Sequence, residues 1–391
     1  MKKIIGMFAV FASLALTAAS AFAQAPECTE EGKAALYTDF TANRTSDSAK
    51  AYDAGKKYLA CSQTEDQYTA YLKKWVTAYE KESRKLKMPP MLYTDKKYPE
   101  AIAMGREILT DDPENLRVII DLGYGSYLAA ASLKNESYNA DALNYARKAI
   151  QMIEAGKTPT SWAPFKGKDD TLAYLHDVVG RLSLKDNPGA ALTSLIKKAQ
   201  FETDLKKDPW TYYFVAAAYE SGPYTKLSAD YKTKFEGKDE TPESKLALEN
   251  INQVIDRMID AYARAVALAG TDAKYATPKK DWMEGLSTWY KYRHNGSEAG
   301  LPELIASALS KPLPPEPTPL TTLPAPATTT GTPVTGGSSA AGTTAAAPTA
   351  TNTTAASNSV KPATSTNGAA TPAKPKPRNN HVTAGAAKRA H

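Results

Sequence analysis

Residues 98–127 decide the fold and read YPEAIAMGREILTDDPENLRVIIDLGYGSY. Apolar and small residues recur in the first half at steps of three and four, which predicts a helix with one buried face. These residues are Ala101, Ile102, Gly105, Ile108 and Leu109. The run at 111–113, Asp-Asp-Pro, ends this helix and begins a second one over about 114–133, because Asp can cap a helix and Pro fits its first turn. The stretch therefore predicts two packed helices, with Gly105 and Gly123 allowing helix axes to come close.

The order of residues in this stretch resembles the tetratricopeptide repeat, a family in which about 34 residues form two antiparallel helices. Residues 101–113 have the spacing of the second helix of a repeat with its closing proline, and Leu122-Gly123 follows at the spacing of the next first helix. The sequence departs from the family pattern at three positions. Gly105 stands where the family has an aromatic residue, Ile119 where it has Trp, and Ser126 where it has Tyr. The resemblance implies stacked helix pairs that hold other molecules.

Helical periodicity continues along the chain, and no alternating run is long enough to predict a strand. We predict about four or five helix pairs that stack on their neighbours, as repeats do. A helix over 65–86 is followed by an irregular apolar connector over 88–93, and a polar stretch covers 232–243. Trp282 and Trp289 are predicted to lie on a buried face that caps the last repeat. The fold class is all-α: a TPR-like helix-pair solenoid with a disordered C-terminal tail.

The N-terminus has the pattern of a signal peptide. Lys2-Lys3 precedes an apolar run over about 4–19, and Ala21-Phe-Ala23 is an A-x-A cleavage site. We expect cleavage between Ala23 and Gln24. A transmembrane anchor is the alternative, but the apolar run is short for a span. The protein is therefore expected to cross the inner membrane and to be periplasmic if its source has two membranes.

The chain has two cysteines, Cys28 and Cys61. An even pair predicts a disulfide in an oxidising compartment. Two helices joined at about 43–47 would form an antiparallel hairpin, which brings the two cysteines together at its outer ends. Two free thiols are the alternative.

Beyond residue 311 the composition becomes rich in Pro, Thr and Ala, and such a segment buries too little apolar surface to offset the entropy of ordering. The net charge of +6 arises from six basic residues after Glu316, where no acidic residue follows. The chain is therefore interpreted as four regions. They are a signal peptide (1–23), a disulfide-linked helical hairpin (24–62), a TPR-like solenoid (63–311) and a disordered basic tail (312–391).

Motifs that carry chemistry are missing from the sequence. It contains no H-E-x-x-H, no G-x-S-x-G, no phosphate-binding glycine loop and no dinucleotide fingerprint. His176 is interpreted as a structural residue on its helix, and His294 as the end of the last helix. We expect no enzyme activity, no metal site and no cofactor. Because the tail supplies the positive charge, we expect no nucleic-acid surface.

The repeat resemblance implies which residues line the concave surface. Carried over from the Leu122-Gly123 match and from looser matches, they are Lys73, Arg117, Ile120, Tyr124, Tyr127 and Tyr213. Tyr and Arg are favoured at binding surfaces. The alternative for each Tyr is a core residue with its hydroxyl at the surface. The first hypothesis for function is an exported, periplasmic scaffold that binds a protein partner of unknown identity through this surface.

Two other hypotheses remain. The helical body could be a spacer whose basic tail contacts the cell wall or a membrane surface. A weaker one is a helical protein that binds a glycan or nutrient in an aromatic groove.

Overall fold

The computed structural model describes residues 28–62, 64–65 and 67–323. The chain divides after Pro90 into two compact units, unit 1 before this point and unit 2 after it. The predicted signal peptide, with its cleavage site between Ala23 and Gln24, and the predicted tail from 324 onward lie outside the described residues. Every regular element in the described part is a helix or a helical turn, and no strand occurs there. None of these helices is both long and apolar enough to span a membrane.

Unit 1 begins with a helical hairpin of α1 (Glu30–Asn43) and α2 (Ser48–Cys61). Cys28 and Cys61 form the predicted disulfide, with Cα atoms 5.0 Å apart and a sequence separation of 33. In the chain-entropy model a loop of this length stabilises the folded state by about 3–4 kcal/mol. Phe40 lies fully buried between the hairpin and the next helix. The disulfide prediction is therefore confirmed.

Helix α3 (Gln67–Tyr93) is longer than predicted. The connector predicted over 88–93 is wrong, because the helix continues through Pro89 and Pro90. Each proline removes one backbone donor, but Met88 and Leu92, one turn apart, are fully buried. Burial of two large apolar side chains is worth about 1.5–3 kcal/mol each, which offsets the lost hydrogen bonds.

Unit 2 contains the remaining helices, most of which follow one another with short connections; the longest connection, residues 155–167, lies between α6 and α7. They are α4 (Tyr98–Asp111), α5 (Leu116–Leu133), α6 (Asn139–Glu154), α7 (Lys168–Ser183), α8 (Pro188–Gln200), α9 (Pro209–Tyr219), α10 (Thr225–Phe235), α11 (Pro242–Ala269), α12 (Ala276–Arg293) and α13 (Leu301–Ser307). Consecutive helices from α4 to α9 pack on one another, α11 packs on both α9 and α12, and α5 also contacts α7. The arrangement is repeat-like, with helix pairs in series.

Gly123 lies where α5 passes close to the backbone of α6. A Cβ at this position would lie 2.8 Å from the backbone nitrogen of Ala146 on α6, a distance that real side chains do not reach. The Leu122-Gly123 pair singled out in the sequence thus marks a real helix contact. Gly123 faces α6, while Gly105 lies buried on α4.

The second half of unit 2 is built on α11. A π-helical turn over Glu220–Tyr224 joins α9 to α10. Because α10 ends at Phe235, the first residues of the polar stretch predicted over 232–243 are helical. Trp282 and Trp289 on α12 are buried, as predicted.

The first residues of the predicted tail are ordered. Residues 312–323 form no helix, yet three of them are hydrogen bonded to side chains of α11. The predicted tail therefore begins, in the structure, with a segment bound to α11. Its prolines restrict the backbone before folding, so ordering this segment costs less entropy than its composition suggests.

We expect Gly123→Ala to destabilise unit 2. The added methyl group meets the backbone of α6, and overpacking of this kind costs about 1–3 kcal/mol, against a gain of about 1 kcal/mol in helix propensity. The measurement is the midpoint of urea unfolding. The matched control is Gly189→Ala in the first turn of α8, where a Cβ meets only the Asn187 side chain at 3.8 Å. Equal midpoints for the two variants would contradict this packing argument.

Candidate binding surface

The predicted groove residues of α5 lie inside the protein. Ile120, Tyr124 and Tyr127 are buried, with Tyr124 only 6% exposed. The Tyr124 ring lies 5.3 Å from the rings of both Phe165 and Tyr174. These three residues lie on the same helix, but they offer almost no surface to a partner.

The segment over 157–167, between α6 and α7, covers this face of α5. Its Phe165 contacts Tyr124, and the Ser161 carbonyl accepts a hydrogen bond of 2.9 Å from Arg117 Nη1. The Arg117 Nε also donates to Asp121 Oδ2 at 2.8 Å. Burial raises the pKa of Asp121 to about 6, against the opposing effect of Arg117 and of the Tyr93 hydroxyl. The segment over 157–167 thus covers Tyr124 and accepts a hydrogen bond from Arg117, two of the predicted groove residues.

The other two predicted groove residues lie elsewhere. Tyr213 on α9 is partly buried, and its ring stacks on Trp282 at 5.6 Å. Lys73 on α3 belongs to unit 1, where it is exposed and pairs with Glu65 at 3.1 Å. The six predicted residues therefore do not form one continuous surface in unit 2.

A different surface of unit 2, on α11, holds an extended segment of the chain. We call residues 312–320 the strap. Arg264 Nη2 donates to the Pro312 carbonyl at 2.8 Å, and Arg257 Nε donates to the Pro315 carbonyl at 2.7 Å. The Asn250 side chain makes two bonds to Leu320: its Nδ2 donates to the carbonyl at 3.2 Å, and its Oδ1 accepts from the backbone N–H at 2.7 Å. All four bonds reach the backbone of the strap.

The three α11 residues share one face of the helix. They are spaced by seven residues, which is close to two helical turns. Asn250 contacts the end of the strap and Arg264 its beginning, so the strap runs antiparallel to α11. Asp260 holds Arg264 in place, accepting from its Nε at 2.7 Å. This surface is an organised row of donors for an extended backbone.

An apolar cavity of about 620 Å³ lies between the strap and the body. Strap residues Pro317 and Pro319 line one side, and Tyr219, Pro223 and Val254 are among those that line the other. Tyr219 is 2% exposed, and its hydroxyl has no hydrogen-bond partner among the described residues. Burial raises the pKa of this hydroxyl. The strap therefore fills its groove incompletely.

A buried charge cluster on α7 and α8 escaped sequence reasoning. Asp177 Oδ1 accepts from Arg181 Nε at 2.8 Å and from Lys198 Nζ at 2.7 Å, and Lys198 is fully buried. Burial alone would raise the pKa of Asp177, but the charges of Arg181 and Lys198 outweigh it and hold the pKa below its usual value. The only sequence signal was Asp and Arg four residues apart on a helix. The cluster is paired internally, and the bond between Lys198 and Asp177 joins α8 to α7.

A second cleft, of about 490 Å³, lies at the start of α7. Four lysines and four carboxylates line it, so it has no net charge to select an ion. These residues are Lys166, Lys168, Lys206, Lys207, Asp169, Asp170, Glu202 and Asp204. Within the described ranges, no group of three or more His, Cys, Asp or Glu residues could hold a metal ion.

Comparisons with protein-family models, with curated proteins and with solved structures found no match for this chain. The structure itself shows the all-helical, repeat-like fold. The likeness to tetratricopeptide repeats rests on the sequence of residues 98–127.

We expect His176 to make the protein sensitive to acid. Burial lowers the pKa of His176 to about 4, and neither ring nitrogen has a hydrogen-bond partner in the described part of the chain. The unfolded chain takes up a proton near its ordinary pKa of about 6.5. The stability due to neutral His176 is therefore present above about pH 6.5 and is lost as the pH falls towards about 4.

The variant His176→Leu removes this proton linkage. Its free energy of unfolding should fall by about 2 kcal/mol less than that of the wild type between about pH 7.5 and about pH 4.5. Urea unfolding at each pH measures it. His294→Leu is the control, since it leaves His176 in place. Parallel pH profiles for the wild type and His176→Leu would show that the buried imidazole does not cause the acid sensitivity.

Proposed function

We propose that this protein is an exported scaffold, built of degenerate tetratricopeptide-like helix pairs, that binds a protein partner on the α11 face of unit 2. The observation that carries the proposal is the strap, an extended stretch of chain whose backbone is hydrogen bonded to side chains of α11. A surface that holds its own extended segment in this way has the chemistry to hold another one. We therefore propose α11 as the partner site, because the predicted groove residue Tyr124 on α5 is covered by Phe165.

Other features support the proposal. The disulfide between Cys28 and Cys61 suits an oxidising compartment, in keeping with the signal peptide predicted for residues 1–23. The apolar cavity beside the strap provides the pocket that anchors a bound chain.

In-cell photo-crosslinking tests the proposal. A photo-reactive amino acid replaces Lys226 on α10, which lines the cavity beside the strap and whose side chain is 77% exposed. Lys234 on the same helix, Lys73 in unit 1 and Lys376 in the tail are the comparators. We expect a discrete protein adduct from position 226 and a weaker one or none from position 234, because adduct formation requires the partner to lie within reach of the probe.

Two outcomes would contradict the proposal. Adducts from position 376 alone, to wall or membrane material, would make the helical body a spacer and the tail the binding element. An adduct from position 73 alone would place the partner on unit 1 and remove it from α11.

A further inference from the structure

The backbone of the strap and the donors of α11 are chemically matched. Proline has no backbone N–H, so a proline-rich segment offers carbonyl acceptors and few donors. Helix α11 meets Pro312 and Pro315 with arginine side chains, which only donate. It meets Leu320, whose backbone N–H is present, with an asparagine side chain that both donates and accepts. The α11 face therefore binds this chain at Pro312 and Pro315 without needing a backbone N–H there, as a proline-rich segment requires.

The lengths of the two elements also match. From Asn250 to Arg264, α11 rises about 21 Å at 1.5 Å per residue. From Pro312 to Leu320, a polyproline II chain would span about 25 Å at 3.1 Å per residue. The three contact points on the strap can therefore meet those on α11 only if the strap is extended.

From Pro314 onward, the burial pattern of the strap repeats every three residues. Pro314, Pro317 and Leu320 are partly buried, as is Leu313 before them, whereas Pro315, Glu316, Thr318 and Pro319 are exposed. A period of three is that of the polyproline II helix, so one edge of the strap faces the body. Recognition of proline-rich segments in this conformation is a general mode of peptide binding.

The strap is a poor fit at its centre. It leaves the cavity of about 620 Å³ unfilled and the Tyr219 hydroxyl without a partner among the described residues. A segment with larger side chains near the positions of Pro317 and Pro319 would fill this space, and one with an acceptor there would bond the hydroxyl. Such a segment would bind more favourably than the strap does.

We propose that the α11 face is a binding site for extended proline-rich peptides, that the strap occupies it within the same chain, and that a proline-rich segment of the partner protein displaces the strap. The inference rests on the proposed function and names the class of partner: a protein with an extended proline-rich segment. The strap reduces the apparent affinity for such a partner, because a tethered competitor has an effective concentration in the millimolar range.

Peptide binding to the full chain tests this inference. In one variant the strap, residues 312–320, is replaced by Gly and Ser at equal length. The probe is a fluorescent peptide with the sequence of residues 311–321, followed by anisotropy. We expect saturable binding to the strap-replaced chain and at least about tenfold weaker binding to the wild type, where the tethered strap competes. A peptide with all prolines replaced by alanine should bind about tenfold more weakly, because it loses its preformed extended conformation.

Two asparagines on α11 provide a matched pair. In the strap-replaced chain, Asn250→Ala should weaken peptide binding about tenfold, because it removes two backbone-directed bonds. Asn252→Ala should leave binding unchanged, because the Asn252 side chain bonds Glu249 on the same helix. In the otherwise unaltered chain, Asn250→Ala should also speed hydrogen exchange at the Leu320 amide, and Asn252→Ala should not.

The outcomes separate this inference from the proposed function. No peptide binding to a strap-replaced chain that keeps the helical circular dichroism of the wild type would overturn the inference and make the strap a purely structural element. Equal effects of the two asparagine variants would overturn it as well. A protein adduct from position 226 together with no peptide binding would retain the scaffold and reject only the proline-rich partner.

Discussion

Helix α11 must bury a continuous apolar stripe, and the second half of unit 2 is arranged around that constraint. The stripe includes Ile255 and Met258, both fully buried, and α9 and α12 supply the surfaces that cover it. The helix is 28 residues long, about 42 Å. A reciprocal capping box between Thr241 and Ser244 satisfies its first backbone donors. Once α11 is covered on these sides, the face with Asn250, Arg257 and Arg264 remains for the strap.

Arginines held by a carboxylate one turn away recur as anchors for segments that are not helical. Asp121 orients Arg117, which bonds the Ser161 carbonyl in the segment over 157–167. Asp260 orients Arg264, which bonds the Pro312 carbonyl at the start of the strap. In both places the helix supplies a fixed, charged donor, and the irregular segment supplies a carbonyl that would otherwise lack a partner. Charge-assisted bonds of this kind are stronger than neutral ones, so these two arginines help to hold the irregular segments on their helices.

Contacts with distant segments also explain why the predicted groove residues Tyr124 and Tyr213 are covered in the structure. The match at Leu122-Gly123 identified a true helix contact, between Gly123 and Ala146. The match carried no information on the loop that follows α6, and Phe165 from that loop covers the ring of Tyr124. Tyr213 was likewise placed in a groove, but it packs on Trp282. Local spacing predicts the direction of a side chain and not what a distant segment brings against it.

The sequence by itself determined the all-helical class, the helix pair around residues 98–127, the burial of Trp282 and Trp289, and the disulfide of the hairpin. Each of these depends on the spacing of apolar residues, on helix capping or on the closure of a short loop, and all three act within about 35 residues of chain. Only the tertiary structure decided that α3 continues through Pro89 and Pro90, that α5 is covered, and that the strap lies on α11. These features depend on contacts between segments far apart in sequence, such as Asn250 with Leu320, whose energies no local pattern contains. The location of the candidate site follows from those contacts.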